Sequence, residues 1–383
     1  MPYSSFVKNN LSPTTSALIT VNLDALRHNY GVLQKAAGLT RHIAPVIKSN
    51  AYGLGMVAIN KALSIEGAIH FFVATIEEGL LLRRANPFCS IYLLNGLWKE
   101  AMVEAARKKL TPVLASKEQI ENWKKLCEKK KESFPFWIQI DTGLKRLGLA
   151  THEAKELATE LTSNTFLSMK GILSHLACSY DIKNPFNEVQ RLAFEELVPL
   201  FPNALKSFSN SGGLLLGKHY LYDIVRPGRF LYGSTEGAGP LAKKLKPVVS
   251  FEGRILQIQD IKKGDTVGYD RTFTATTALK VATCSVGYAD GYFQSLSSKA
   301  YAMIGSYKVP VIGKISMDLM VLDVSHVPLE TLHSHQWISF LNAEITLDQM
   351  ATWSGTNVWE VLTHFGKRAT VLYDSLHVNL KNA

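Results

Sequence analysis

Cysteine is scarce: four residues in 383, at Cys89, Cys127, Cys178 and Cys284, with no C-x-x-C pair and no metal-ligand spacing. That excludes a disulfide framework and a zinc-type site, and predicts reduced thiols in a cytoplasmic setting. No uncharged apolar run reaches the roughly 18 residues of a membrane helix. The first twenty residues, with Lys8, Asn9 and Asn10 followed by Ser and Thr, lack the apolar core of a secretory signal. Charge is sparse at 19% of residues, and acidic groups are outnumbered, 32 against 42 basic, for a net +10. The densest basic runs, Lys124 to Lys131 and Lys243 to Lys246, have no interleaved aromatics. The surplus therefore argues for a small-anion site and dispersed surface charge rather than for nucleic acid. What remains is a 46% hydrophobic chain, long enough for two or three domains of roughly 150 residues.

Between about residues 43 and 226, short apolar runs alternate with amphipathic stretches. Eight strands are predicted: Ile43 to Ile47, Ile69 to Ala74, Ile91 to Leu94, Thr111 to Ala115, Phe136 to Asp141, Met169 to His175, Lys206 to Ser209, and Tyr222 to Arg226. Helices fit between them, including Glu77 to Ala85 and Lys117 to Lys129, the latter opening on Ser116-x-x-Gln119. A helix over Leu23 to Lys35 precedes the first strand. The pattern fits a closed (β/α)8 barrel of the TIM type over residues 13–245, with a doubly wound sheet as the rival. From residue 246 to 383 the pattern turns to strands joined by short turns, a mainly β second domain on which residues 1–12 are expected to pack.

A barrel of this kind collects its chemistry at the C-terminal ends of its strands. Six polar residues fall there: Lys48 after strand one, Arg146 after strand five, His175 ending strand six, Asn210 and Ser211 after strand seven, and Arg226 ending strand eight. Singly, Lys48 reads as a solvated loop residue, His175 as a satisfied structural histidine and Arg226 as a turn cap. Together they describe a site. A lysine desolvated beside other cations loses proton affinity and becomes a nucleophilic amine able to form a Schiff base with an aldehyde cofactor. Two arginines, a histidine and Gly or Ser backbone amides suit a phosphate and a carboxylate. Pyridoxal phosphate with an amino acid supplies both anions.

The segment Val46-Ile47-Lys48-Ser49-Asn50-Ala51-Tyr52-Gly53 resembles the lysine motif of the alanine racemase family. Further matches run nearly end to end: Asp141-Thr142-Gly143 with Arg146, Ser209-Asn210-Ser211, Val225-Arg226-Pro227-Gly228, Gly268-Tyr269 within Val267 to Phe273, Gly287-Tyr288-Ala289-Asp290-Gly291-Tyr292, and Gly313-Lys314-Ile315-Ser316-Met317-Asp318. The resemblance implies a barrel followed by a β domain, pyridoxal 5'-phosphate as cofactor, and a homodimer whose active sites are shared between subunits. It implies that Lys48 binds the cofactor covalently and takes the proton of the D-isomer, while Tyr269 of the partner subunit takes that of the L-isomer. Racemisation needs an acid and a base on opposite faces, so two bases are what the stereochemistry requires.

The same resemblance gives the phosphate to Tyr52, Ser211, Tyr373 and the backbone of Gly228 and Arg229, and places Asn210 and His175 around the cofactor. Arg226 would meet the pyridine nitrogen, Arg146 and the Met317 amide the substrate carboxylate, and Tyr288 the substrate entrance. The expected activity is interconversion of L- and D-alanine, which in bacteria supplies D-alanine for peptidoglycan. A broader racemase acting on serine or lysine, a single-domain carrier of the cofactor, and a decarboxylase of the same fold are the alternatives. Three positions depart from the family pattern. Gln139 stands where many members carry a lysine, often carbamylated, and is expected to orient Arg146 through its amide. Arg229 replaces an aliphatic residue, and Asp270 a common glycine.

Overall fold

Eight parallel strands, each short and apolar, build the first of two units into which the chain divides, Ala25–Lys246. The computed structural model describes residues 11–163, 166–365 and 368–375. The strands are His42–Ile43, His70–Val73, Ser90–Leu93, Thr111–Leu114, Pro135–Gln139, Ser168–Leu173, Leu205–Ser207 and Ile224–Val225. The six from His70 to Ser207 form one parallel sheet in sequence order. The ring closes because His42 and Ile43 pair with Ile224 and Val225, Val46 bridges Phe72, and the Arg226 amide donates to the Ser209 carbonyl at 2.9 Å. The closed barrel expected from the sequence is therefore what forms, and the doubly wound sheet is ruled out.

Inside the barrel, aromatic side chains fill the volume. Phe72 stacks on Tyr92 at 4.6 Å between centroids, and Trp137 meets Tyr92 edge-on at 5.1 Å. Gly171 makes room for them: a Cβ there would lie 2.3 Å from the Trp137 ring. Above this plug Arg226 places its guanidinium 5.8 Å from the Phe72 ring. The helices start where their caps dictate. Thr75 and Glu78 form a full capping box for Ile76–Ala85. At Lys117–Lys130 the Ser116 hydroxyl accepts from the Gln119 amide, but the Gln119 side chain turns to the Ala115 amide instead of closing the box on Ser116.

The second unit joins residues before Ala25 to those from Pro247 onward. Its eight-stranded sheet runs in the order Leu279–Cys284, Met320–Asp323, Tyr307–Ile312, Tyr301–Ile304, Trp337–Leu341, Val249–Ile261, Ala17–Asn22, Thr370–Asp374. The 13-residue strand Val249–Ile261 closes it by pairing along its second half with Leu279–Cys284, after a register shift between Ile255 and Gln257. Phe251, Phe340 and Tyr292 pack at its centre. One expectation is corrected here. Residues 13–24, assigned to the barrel, supply the strand Ala17–Asn22, which pairs antiparallel with Val249–Gly253 and parallel with Thr370–Asp374. The expected packing of residues 1–12 falls, up to residue 10, outside the described residues.

Candidate active site

The first barrel strand runs into an unusual turn. Ser49, Asn50, Ala51 and Tyr52 all have φ between 53° and 56°, four consecutive left-handed residues directly after Lys48. L-residues pay roughly 1–2 kcal/mol each for this conformation, so the surroundings must impose it. Glu78 does much of this, accepting from the Asn50 amide at 3.3 Å from its capping position, while Gly53 and Gly55 close the turn on the Ser49 and Asn50 carbonyls at 2.8 and 2.9 Å. The result fixes Lys48 and Tyr52 at the barrel rim. Burial lowers the proton affinity of the Lys48 amine, Arg146 lowers it further, and Glu78 opposes them.

Arg226 is buried, donating to the Ser174 carbonyl at 2.5 Å and to the Ser207 hydroxyl. Burial draws its proton affinity down to about 9, which still leaves it a cation at neutral pH. His175 lies where burial, Arg226, Arg146 and Lys48 all penalise protonation, in that order, so its pKa falls to about 3 and the imidazole is neutral. Arg146 is exposed, and among the described residues nothing hydrogen-bonds or ion-pairs its guanidinium. It is left available for an external anion.

The loop after strand eight folds closely onto Ser211 and Tyr52. The Ser211 hydroxyl accepts from the amides of Gly228 at 3.0 Å and Phe230 at 3.4 Å. Tyr52 closes over it: a Cβ on Gly228 would come 2.6 Å from the Tyr52 hydroxyl. Tyr52 is braced by Tyr232, 4.9 Å away between centroids, whose hydroxyl donates to the Val46 carbonyl. Asn210 is buried, its side-chain oxygen accepting from the Ser179 hydroxyl at 2.8 Å and the Gly213 amide at 3.1 Å. Its visible work is to hold the loop after strand seven.

In the β unit, Tyr269 is 70% exposed in a loop with left-handed Asp270 and Arg271. Asp270 is ion-paired to Lys314, and the 313–317 segment also carries Met317. The Tyr288 amide donates to the Ser316 carbonyl at 3.1 Å, placing Tyr288 and Met317 on neighbouring backbone. Tyr373 sits on the strand Thr370–Asp374, with burial raising its phenol. The structure thus gathers Lys48, Tyr52, Arg146, His175, Asn210, Ser211, Arg226, Gly228 and Arg229 on the barrel unit, and Tyr269, Tyr288, Met317 and Tyr373 on the β unit.

The expectation for Gln139 needs correcting. Its side-chain N–H donates to the Leu147 carbonyl at 2.9 Å, so it meets the backbone next to Arg146, and no hydrogen bond from the guanidinium to its oxygen is present among the described residues. The supporting residues Ser174, Ser207 and Glu78 were not legible in the sequence, since serines at strand ends and a glutamate in a helix cap carry no signal of the group they hold.

Residues 21–236 match the model of the alanine racemase N-terminal domain and residues 248–373 that of the C-terminal domain. The chain is 37% identical over 351 residues to the alanine racemase of Rickettsia peacockii, covering 91% of this chain and 97% of that one. It is 35% identical to that of Brucella suis over 381 residues, 96% of each. Its structure is similar to the crystal structure of the Bartonella henselae alanine racemase with covalently bound pyridoxal phosphate, with a TM-score of 0.88, 37% identity and coverage of 94% and 99%. The chain belongs to the alanine racemase family, whose members are pyridoxal phosphate-dependent isomerases.

Proposed function

We propose that the protein interconverts L- and D-alanine on pyridoxal 5'-phosphate. The observation that carries this reading is the convergence of Lys48, Arg146 and Arg226 at the barrel rim, close enough that all three charges act on His175. The site also fits the cofactor. The Gly228 amide and Ser211 hydroxyl form a cradle that a single Cβ would fill, and Arg226 is a fixed, buried donor. In this reading Lys48 holds the aldehyde, Tyr52, Ser211, Tyr373 and the amides of Gly228 and Arg229 hold the phosphate, and Arg226 faces the ring nitrogen. When bound, the cofactor withdraws electrons from the substrate α-carbon and makes its hydrogen acidic.

The residues then divide the proton work. Lys48, its proton affinity lowered by burial and Arg146, takes or returns a proton on one face. The partner subunit's Tyr269 serves the other face. A phenol is a weak acid and needs help to act as a base, which neutral His175 gives in this reading as a hydrogen-bond partner between the phenol and Arg226. Arg146 and the Met317 amide bind the carboxylate, and Tyr288 lines the approach. A guanidinium can only donate, so Arg226 would leave the ring nitrogen unprotonated, and the group would supply a weaker electron sink. The assembly in this reading is a cytoplasmic homodimer whose D-alanine goes to peptidoglycan. No helix among the described residues is long and apolar enough to cross a membrane.

The test is an amino-acid panel. Purified protein supplied with pyridoxal phosphate should racemise L-alanine faster than L-serine or L-lysine. Absence of alanine turnover, or faster turnover of either competitor, would overturn the reading.

A further inference from the structure

Two elements 28 residues apart in sequence meet at one carboxylate. Glu78 lies in the first turn of the helix Ile76–Ala85, where its Oε2 accepts from the backbone amides of Ala74 at 2.8 Å and Thr75 at 3.4 Å. Its Oε1 accepts from the Asn50 amide at 3.3 Å, in the turn that follows Lys48. That turn is strained, because Ser49, Asn50, Ala51 and Tyr52 are all left-handed and L-residues resist this conformation. The other hydrogen bonds of its backbone are local. The Gly53 and Gly55 amides close on the Ser49 and Asn50 carbonyls, and the Asn50 side-chain oxygen accepts from the Met56 amide at 2.9 Å. Among the described residues, Glu78 is the side chain from a distant element that hydrogen-bonds the backbone of the turn.

Both carboxylate oxygens are in use, and all three partners are donors. A carboxylate accepts at either oxygen, whereas a glutamine has one acceptor oxygen and an NH2 group that cannot receive an N–H. Glutamine at 78 can keep the helix cap or the grip on Asn50, and the shorter cap bonds decide for the cap. Aspartate keeps the charge but falls one methylene short of spanning the two elements. The charge has an effect of its own. Burial and then Arg146 weaken the hold of the Lys48 amine on its proton, and Glu78 opposes them. His175, the other titratable group coupled to Lys48, is neutral, so Glu78 is the negative charge that acts on the amine.

Building on the proposed function, we propose that Glu78 is a positioning residue for Lys48: its carboxylate clamps the strained turn to the neighbouring helix and supplies the negative charge that acts on the amine. Its whole effect on the reaction passes through Lys48.

The experiment uses the full chain, wild type against Glu78→Gln, Glu78→Asp and Glu78→Ala, each stripped of cofactor. In covalent capture the neutral Lys48 amine adds to the aldehyde of pyridoxal phosphate and one water leaves. Visible absorbance follows this rate from about pH 7 to 10, with the capture that persists in Lys48→Ala subtracted. At high pH the amine is neutral in every variant, so the plateau rate reads geometry, and the midpoint of the profile reads the charge. Glu78→Gln should lower the plateau about tenfold, the scale of one lost hydrogen bond to a charged group. Its midpoint should move to lower pH, because no anion then favours the ammonium form. Its melting temperature should stay near that of wild type, since the cap survives, which separates positioning from folding. Glu78→Asp should lose the plateau in the same way with its midpoint near that of wild type, and Glu78→Ala should lose plateau, midpoint and melting temperature together. At saturating cofactor, exchange of the α-hydrogen of D-alanine, the isomer assigned to Lys48, should fall more than that of L-alanine. Should Glu78→Ala fail to fold, the other two variants decide. Wild-type plateaus in both Glu78→Gln and Glu78→Asp, beside a wild type that captures the cofactor and racemises alanine, would overturn the clamp alone, and an unmoved midpoint in Glu78→Gln would overturn the role of the charge. A wild type that neither captures the cofactor nor racemises alanine would overturn the proposed function and the clamp with it.

Discussion

The side-chain amide of Gln139 donates to the carbonyl of Leu147 at 2.9 Å, one residue beyond Arg146. The Gln139 carbonyl accepts from the Leu149 amide at 2.8 Å, so both ends of this residue clamp the loop that presents the guanidinium. Gly148 permits the close approach: a Cβ there would lie 2.6 Å from the Asp141 nitrogen. Arg146 is thereby aimed through its backbone, with no carboxylate paired to its guanidinium among the described residues. Gln139→Ala should raise the alanine KM by about tenfold, the size of one lost buried hydrogen bond, with a smaller fall in kcat. Steady-state kinetics in both directions check this, and an unchanged KM would show that the loop holds its shape unaided.

Lys48 and Tyr269 are predicted to fail differently. Lys48→Ala should lose the visible absorbance of covalently held cofactor and racemisation of both isomers. Tyr269→Phe should keep the absorbance while losing at least about a hundredfold in turnover, the usual scale of one general base. Exchange of the α-hydrogen into deuterated solvent separates the faces: the Phe variant should still exchange that of D-alanine faster than that of L-alanine. Equal exchange of both isomers by Tyr269→Phe would remove the tyrosine from its assigned role.

Lys48 was readable because an apolar strand ends on it, and strand ends carry the chemistry of a barrel. The same logic found Arg146, His175 and Arg226, each in the segment that follows its own strand. It could not find the partner of Gln139, which depends on the chain folding back so that Ile140 bridges Leu149. Nor did it find the strand Ala17–Asn22, whose partners, Val249–Gly253 and Thr370–Asp374, lie more than 200 residues away. Distant pairing decides which unit owns such a segment, and local pattern does not show it.

Gly228 should tolerate no side chain. Gly228→Ala puts a methyl 2.6 Å from the Tyr52 hydroxyl, and Tyr52 cannot retreat because Tyr232 packs behind it. Cofactor affinity should fall by at least about tenfold, an overpacking cost of 1–3 kcal/mol. Adding Tyr52→Phe removes the clashing oxygen, so the double variant should bind better than Gly228→Ala alone. Titration with pyridoxal phosphate measures both, and additive losses would contradict the steric account.

Acid should destabilise the protein before its carboxylates titrate. Burial and neighbouring His42 hold the His70 pKa down to about 4, and burial with three cations holds His175 to about 3. Below about 6.5 the unfolded chain protonates both imidazoles while the folded one does not, so stability is full above that pH and declines as pH falls toward these values. His70, the first residue of its strand and so at the end opposite the rim that carries Lys48, hydrogen-bonds Tyr92 at 2.9 Å. His70→Gln should therefore flatten the decline between about pH 6.5 and 5 without touching the site. Denaturant melts across that range test it, and an unaltered slope would refute the assignment.

Arg368 joins two segments that carry expected substrate contacts. Its Nε and Nη2 donate to Asp290 at 2.9 and 2.8 Å, and Nη1 donates to Asp318 at 2.5 Å. Asp290 is buried and also accepts from the Gly287 amide, which fixes the turn bearing Tyr288. Gly287 lies so close to Met317 that a Cβ would sit 2.3 Å from its carbonyl oxygen. Arg368→Ala leaves a buried carboxylate short of its cationic partner, a cost of about 1–3 kcal/mol that should lower the melting temperature. It also frees the Met317 backbone, so the alanine KM should rise more than kcat falls. Arg368→Lys keeps the charge but cannot reach both aspartates as a fork, so it should recover stability more than KM. Thermal melts and kinetics on the two variants separate these effects, and full recovery of both by lysine would mean that charge, not geometry, is what Arg368 supplies.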